Sequence, residues 1–300
     1  MSYLVAALIA ALYGLVEGIT EWLPISSTGH MILLSAIPGL NIASYDVGNN
    51  SQDVFEFFLV VIQLGAILAV IVRFFSQLNP LSVPKGEQRK DVGRIWLRIL
   101  IGCIPAGIAG ILMEVLLPDA AEEALNSPIV VGCALLLYGV FFVVLERYLK
   151  HKKTKLGVEK KSLFRYENVE RIPLLTCLYI GLIQILSLIP GTSRSGVTIL
   201  SALLFSCTRS AAAQYSFYLS IPIMIGASLV SGIGFFVKGG TISGLGWTFI
   251  GSGILISFLV SILVVSALVK WIKSHTFEGF GYYRILVGAL VIGLFVGGII

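Results

Sequence analysis

Charged side chains are scarce in this sequence. Asp, Glu, Lys and Arg make up 12% of its 300 residues, where a soluble domain carries about 25%. Histidine is scarcer still, with three residues, and cysteine numbers four. Cys103, Cys133, Cys177 and Cys207 are widely spaced and form no CxxC pair. These absences set aside a thiolate or multi-histidine metal centre and a disulfide framework, and the cysteines read as small apolar residues. No Arg-rich or Ser-rich transit segment is visible. The first apolar stretch runs straight into a polar cluster, so it reads as retained rather than cleaved.

What is abundant is apolar. Hydrophobic residues make up 57% of the chain, the mean hydropathy is +0.95, and several runs reach the ~20 residues that cross a bilayer core. The fold class is therefore all-α, a polytopic helical membrane protein. The net charge of +5 does not point to nucleic acid, because the cations cluster in loops between apolar runs, which is a topology signal.

Full spans are expected at 55–75, 94–117, 128–145, 212–237, 247–269 and 284–300. Two further apolar segments, 3–37 and 172–206, are each interrupted by a proline and a polar turn and read as re-entrant helix–loop–helix hairpins. The basic loops 76–93 (Lys85, Arg89, Lys90) and 146–171 (Arg147 through Arg171, with Lys160 and Lys161) are separated by two crossings. The positive-inside rule puts both in the cytoplasm. The acidic 118–127 and the cation-free 39–53 then lie outside, as do both termini, and Lys270, Lys273 and Arg284 fall between the last two spans. This divides the chain into a first half (1–150), a basic linker (151–171) and a second half (172–300). Each half is one hairpin plus three spans, so the second enters the membrane inverted, as in many transporters. Gly14-Leu15-Val16-Glu17 matches Gly181-Leu182-Ile183-Gln184, and Pro24-Ile25-Ser26-Ser27 matches Pro190-Gly191-Thr192-Ser193; a one-residue change of offset between the matches implies an indel.

The first hairpin holds Glu17 and Glu21, four apart and so on one helix face. Ionisable groups at membrane depth are costly and normally face a cavity or a partner. Two like charges there call for a proton, a shared divalent cation or an arginine. The second turn supplies one arginine, Arg194. Irregular backbone at membrane depth is tolerated where it lines a cavity or is buried in protein, so both turns are expected to line one polar pocket. Gly191, Thr192, Ser193, Ser195 and Gly196 surround Arg194, and Ser26, Ser27 and Thr28 open the helix after Pro24. Glycines, helix N-termini and a planar guanidinium suit an oxyanion such as phosphate. The facing carboxylates suit phosphate with Mg²⁺ or Ca²⁺ at Glu17 and Glu21, or proton transfer. A hydroxyl, a base and an arginine make a phosphoryl-transfer set. Plainer readings stand beside this one: the Ser-Ser-Thr-Gly run as a helix N-cap, His30 as a satisfied buried histidine, and Gln63 and Gln214 as interhelical hydrogen-bonding groups.

The run Glu17-Gly18-x-Thr20-Glu21-x-Leu23-Pro24-x-Ser26-Ser27-Thr28-Gly29-His30 and the run Pro190-Gly191-x-Ser193-Arg194-Ser195-Gly196 resemble the two signature motifs of the undecaprenyl-diphosphate phosphatase (bacitracin-resistance) family. Phe55-Glu56, the stretch Ile62 to Val70, and Tyr215 to Pro222 are similar to that family too. The resemblance implies a membrane enzyme that removes the terminal phosphate of a polyprenyl diphosphate and so recycles the carrier lipid of cell-wall synthesis. It also implies divalent-cation dependence and a pocket opening outward. By this resemblance the essential residues are Glu17, Glu21, Ser27, His30 and Arg194, with Ser26, Thr28, Ser193 and Ser195 as pocket groups. Gln214 stands where the family often has Glu, which weakens any role for a third carboxylate there. An inverted-repeat transporter or lipid flippase and a structural membrane subunit remain as rival readings. Whether the chain forms a homo-oligomer stays open.

Overall fold

The computed structural model describes residues 2–84, 86–156 and 164–300; Lys85, Lys160 and Lys161 lie outside them. The chain folds as helices α1 (Tyr3–Thr20), α2 (Ser27–Ser35), α3 (Ser51–Arg73), α4 (Phe75–Leu78), α5 (Glu87–Leu116), α6 (Asp119–Leu125), α7 (Pro128–Leu156), α8 (Leu174–Gln184), α9 (Arg194–Leu204), α10 (Arg209–Val237), α11 (Gly244–Trp271) and α12 (Glu278–Val296). Among the described residues, extended pairing is limited to isolated bridges, Gly48 with Ile242 and Tyr166 with Cys207.

Seven of these helices (α1, α3, α5, α7, α10, α11 and α12) are long and apolar enough to cross a membrane. Their outward faces carry large apolar side chains: Ile104, Ile108, Ile111 and Leu112 form an exposed stripe on α5, and Leu255, Leu259 and Leu263 another on α11. Such continuous apolar surface is stable only in lipid. The six expected spans are all present. The seventh candidate is α1, expected as one arm of a hairpin. α2 and α9 are too short to cross, with nine and eleven residues. Several boundaries differ from expectation. α5 begins at Glu87 rather than 94, so Arg89 and Lys90 are helical. α7 continues past the expected end at 145 to Leu156, so the start of the basic segment is helical. α12 begins at Glu278, so Arg284 is not a loop cation between spans; it lies inside the helix and is fully buried. Hydropathy alone assigns a charged residue at the edge of an apolar run to the flank, and that is the origin of the error.

Packing runs pairwise: α1 lies along α11, α8 along α5, α3 along α10 and α7 along α12, with α3 also against α11 and α10 against α5. Small residues set the closest approaches, as is usual where lipid removes the hydrophobic driving force between helices. A Cβ on Gly14 would sit 2.5 Å from the Gly253 carbonyl, and one on Gly181 would overlap the Gly102 carbonyl. On α7 and α12 the relation is reciprocal: a Cβ on Gly139 would lie 2.8 Å from Gly281 O, and one on Gly281 2.8 Å from Gly139 O. Gly14→Ala therefore lowers the thermal unfolding midpoint in detergent, since overpacking of this kind costs about 1–3 kcal/mol. Gly226→Ala, in open space on α10, leaves the midpoint unchanged or raises it; equal effects at the two sites would remove glycine packing as the cause.

At the basic end of the bundle, Glu146 of α7 is buried and paired with Arg209 of α10 through both oxygens. Glu146 Oε1 also accepts from the Phe277 backbone N–H at 3.0 Å. This ties α7, α10 and the approach to α12 together.

Candidate functional site

Two irregular turns build the site. The first, Glu21–Ile25, follows α1, which stops at Thr20, ahead of Pro24. The second follows α8 and a 3-10 turn, Ile185–Leu188. Each ends in a serine in the left-handed region, Ser26 (φ 69°, ψ 108°) and Ser193 (φ 69°, ψ 116°), and each serine precedes a short helix. A non-glycine residue held there costs about 1–3 kcal/mol and persists only where surrounding contacts enforce it. The first turn is anchored by Trp22, fully buried and edge-on to Phe217 of α10. In the second, Ser193 Oγ accepts from the Gly196 N–H at 3.1 Å and caps α9. Gly191 has φ 87° and lies so close to Val131 that any Cβ would collide with its backbone.

The two turns meet. Arg194, the first residue of α9, donates from Nη2 to Glu21 Oε1 at 2.8 Å and from Nη1 to the Ser216 carbonyl at 3.0 Å. Glu21 Oε2 accepts from Ser27 Oγ at 2.9 Å. One carboxylate thus touches the guanidinium with one oxygen and the serine hydroxyl with the other. Both charged side chains are 11% exposed, so the group is shielded yet reachable. Glu17, one turn earlier, is buried, and its Oε1 has no hydrogen-bond partner among the described residues. The N–H groups that open α2 have no side-chain cap, while at the start of α9 that of Gly196 is taken by Ser193 Oγ; the remaining N–H groups at the two helix starts favour an anion.

Other expected site residues are spent on the scaffold. Ser195 Oγ lies 3.1 Å from the Glu21 carbonyl and 3.3 Å from that of Leu23, and 3.1 Å from Ser193 Oγ. It fastens one turn to the other. Thr192 is buried, and Gly191 and Thr192 present their carbonyls to Arg284. Thr28 is exposed at the start of α2. His30 Nδ1 is 2.7 Å from the Ser26 carbonyl, so it is the donor there; in the neutral ring Nε2 then accepts from Tyr283 OH at 2.8 Å. The His30 and Tyr283 rings also stack, 5.6 Å apart. Gln214 bonds Tyr218 OH and Gln77, in agreement with an interhelical role.

Three residues at the site escaped sequence reading. Ser216 accepts from Arg194 on its carbonyl and from Thr198 on its Oγ at 2.6 Å, and nothing in an apolar helix marks one serine over another. Tyr283 and Arg284 carried a signal, an arginine in an apolar run, that hydropathy averaging removed.

For a divalent cation the donors are Glu17 Oε1 and Glu21, hard oxygens. Mg²⁺ is commonly held by about one or two carboxylates together with substrate phosphates and waters. The donor chemistry suits that mode, with Glu17 Oε1 unpartnered and both Glu21 oxygens already engaged, by Arg194 and by Ser27; among the described residues no group of three His, Cys, Asp or Glu side chains forms a self-sufficient cage.

Comparison with known proteins gives a consistent picture. The family described as bacitracin resistance protein BacA matches residues 10–290. An undecaprenyl-diphosphatase of Lactiplantibacillus plantarum is 41% identical over 287 residues, 95% of this chain and 96% of the relative. The Clostridioides difficile protein named undecaprenyl-diphosphatase 1 is 41% identical over 291 residues, 95% of each chain. An Enterococcus faecalis undecaprenyl-diphosphatase is 39% identical over 285 residues, again 95% of each.

Proposed function

The chain belongs to the bacitracin resistance protein BacA family, and from that premise we propose that it hydrolyses undecaprenyl diphosphate, or a similar polyprenyl diphosphate. The products are the monophosphate carrier lipid and inorganic phosphate, which returns the carrier to cell-wall synthesis and accounts for bacitracin resistance. The observation that carries this reading is the continuous contact from Arg194 through Glu21 to Ser27, at 2.8 Å and 2.9 Å.

In the reaction Ser27 Oγ attacks the terminal phosphorus. The Oγ–P bond forms, the bridging P–O bond breaks and polyprenyl monophosphate leaves. Glu21 Oε2, already the acceptor of the Ser27 proton, takes it as the bond forms. Arg194 and the uncapped N–H groups at the starts of α2 and α9 hold the phosphoryl oxygens as charge develops on them. Water then attacks the phosphoserine phosphorus: the new P–O bond forms, the Oγ–P bond breaks, Glu21 returns the proton to Ser27 Oγ, and inorganic phosphate leaves with the proton of the attacking water. Glu17 and Glu21 would hold Mg²⁺ or Ca²⁺ jointly with the diphosphate; bound there, the cation neutralises phosphate charge.

The same reading treats α1–α2 and α8–α9 as the re-entrant hairpins of an inverted repeat, with both termini outside and the basic loops in the cytoplasm. It is supported by the exchange of packing partners: α1 on α11 mirrors α8 on α5, and α3–α10 and α7–α12 pair with each other. The matched backbone of Ser26 and Ser193 supports it too. One spacing, 167 residues, relates Gly14 to Gly181, Glu17 to Gln184, Ser26 to Ser193 and Ser27 to Arg194. On this alignment the indel that motif matching demanded is unnecessary.

Purified protein in detergent, given undecaprenyl diphosphate and Mg²⁺, is expected to release phosphate, and chelation is expected to stop release until the cation is restored. No release under these conditions would overturn the enzyme reading in favour of a transport role.

A further inference from the structure

We propose that Tyr283 and Arg284, consecutive residues of α12, are positioning residues that hold the two turns at the spacing at which Glu21, Ser27 and Arg194 meet. The inference rests on the phosphatase reading of that junction.

Arg284 is fully buried. A buried cation is costly unless it is paired and its donors are satisfied. Here the two terminal nitrogens go to backbone carbonyls of both turns, Nη1 to Pro24 O at 3.1 Å and Nη2 to Gly191 O and Thr192 O, each at 2.9 Å, while Nε has no partner among the described residues. The guanidinium also lies 5.8 Å from the Tyr138 ring centroid. One edge of a rigid planar fork therefore grips the first turn and the other grips the second, and the fork's own width sets the gap between them.

The carbonyls it takes are those that the local geometry strands. Pro24, Gly191 and Thr192 lie one or two residues ahead of the left-handed serines. None of these three oxygens accepts a backbone hydrogen bond among the described residues, and the ladder of the helix after the second turn begins one residue later, at the Ser193 carbonyl. Gly196 makes room for the fork: a Cβ there would sit 3.0 Å from Arg284 Nη1. A glycine expected from sequence to admit an anion instead admits this guanidinium.

Tyr283 adds a second hold on the first turn. Its hydroxyl fixes His30 Nε2, and His30 Nδ1 holds the Ser26 carbonyl. α12 thus reaches the first turn on both sides of Ile25, at Pro24 directly and at Ser26 through His30. Neither residue touches the Glu21–Ser27–Arg194 group, so both act through the turns that carry it.

The test is steady-state phosphate release by the purified full-length protein with undecaprenyl diphosphate and Mg²⁺, together with the thermal unfolding midpoint. Wild-type release in the same assay carries the phosphatase reading by itself; if wild type releases nothing, that reading fails and the variants are not needed. With wild type active, Arg284→Lys keeps the charge but not the fork. It is expected to lower kcat by about 10²-fold, the effect of ångström-scale misplacement of reacting groups, with KM little changed. Guanidinium added to Arg284→Ala is expected to restore part of the turnover, where sodium chloride at equal ionic strength does not. Tyr283→Phe, at a partly exposed position that tolerates the change, guards against loss of folding in the arginine variants; it is expected to lower kcat several-fold at unchanged midpoint. Wild-type kcat in Arg284→Lys or in Tyr283→Phe would overturn the proposal. So would a fall in kcat that only tracks the midpoint and does not respond to guanidinium.

Discussion

Arg194→Ala is expected to lower phosphate release by at least about 10²–10³-fold, the range seen when a donor to a developing oxyanion is removed. Two losses combine. The first is the donor itself, which is aimed at the junction of the turns. The second falls on Glu21, whose Oε1 accepts from Arg194 at 2.8 Å in a site where both side chains are 11% exposed. Removing one partner of a buried pair costs about 3–5 kcal/mol because the other charge is left uncompensated. Glu21 would then draw in a proton or turn from Ser27, and either response removes the acceptor of the Ser27 proton. Lysine is no substitute, since its ammonium cannot span Glu21 and the Ser216 carbonyl as the planar fork does. The measurement is phosphate release per folded protein, with the thermal midpoint as a folding control. Pairing Arg194→Ala with Glu21→Gln should cost far less than the two single losses combined, as for residues that act as a unit. An Arg194→Ala protein within tenfold of wild type would place the phosphate elsewhere.

Ser27→Ala is expected to be equally damaging, by about 10³-fold or more, as for nucleophiles that work as a unit with their base. The geometry behind this is the 2.9 Å contact from Ser27 Oγ to Glu21 Oε2, with the hydroxyl at the first position of α2, beside that helix's unpaired N–H groups. A covalent route leaves a trace. Acid quenching during turnover should yield a peptide phosphorylated on Ser27, detected by mass spectrometry and absent without substrate. If Ser27→Ala retained a tenth of wild-type turnover and no phosphopeptide formed, water would be the attacking group and Ser27 a ligand.

The parts of this site legible in the sequence are those that violate the membrane's own rule. Glu17, Glu21 and Arg194 stand in apolar segments where charge is expensive, and the need for a countercharge points from the glutamates to the arginine. The spans were legible for the same reason, through their length and lack of charge. Arg284 violates the rule equally but sits beside Tyr282 and Tyr283 near the end of a polar stretch, where an arginine normally reaches the interface. Its partners are carbonyls 260, 93 and 92 residues away, and backbone acceptors have no residue type by which to be recognised. The assignment of Ser195 and Gly196 to the anion fails to separate groups that face the junction from groups that face the neighbouring turn. That distinction depends on the left-handed serines, whose conformation a Ser-rich string does not announce. His30 was legible as a special residue but not in its manner of working, because the contact that engages Nε2, with Tyr283, exists only once α12 is in place.

That last dependence has a timetable. α12 follows every other helix described here, and Arg284 comes 90 residues after Arg194. At about 5–20 residues per second of synthesis, both motif-bearing turns are made on the order of ten seconds before the residues that brace them. Throughout that interval the chain already holds Glu17, Glu21, Ser27 and Arg194, and the left-handed serines have neither the guanidinium nor the His30–Tyr283 contact to hold them. Arrival of the last helix, rather than of the last motif, marks the moment at which the newborn protein acquires its working geometry.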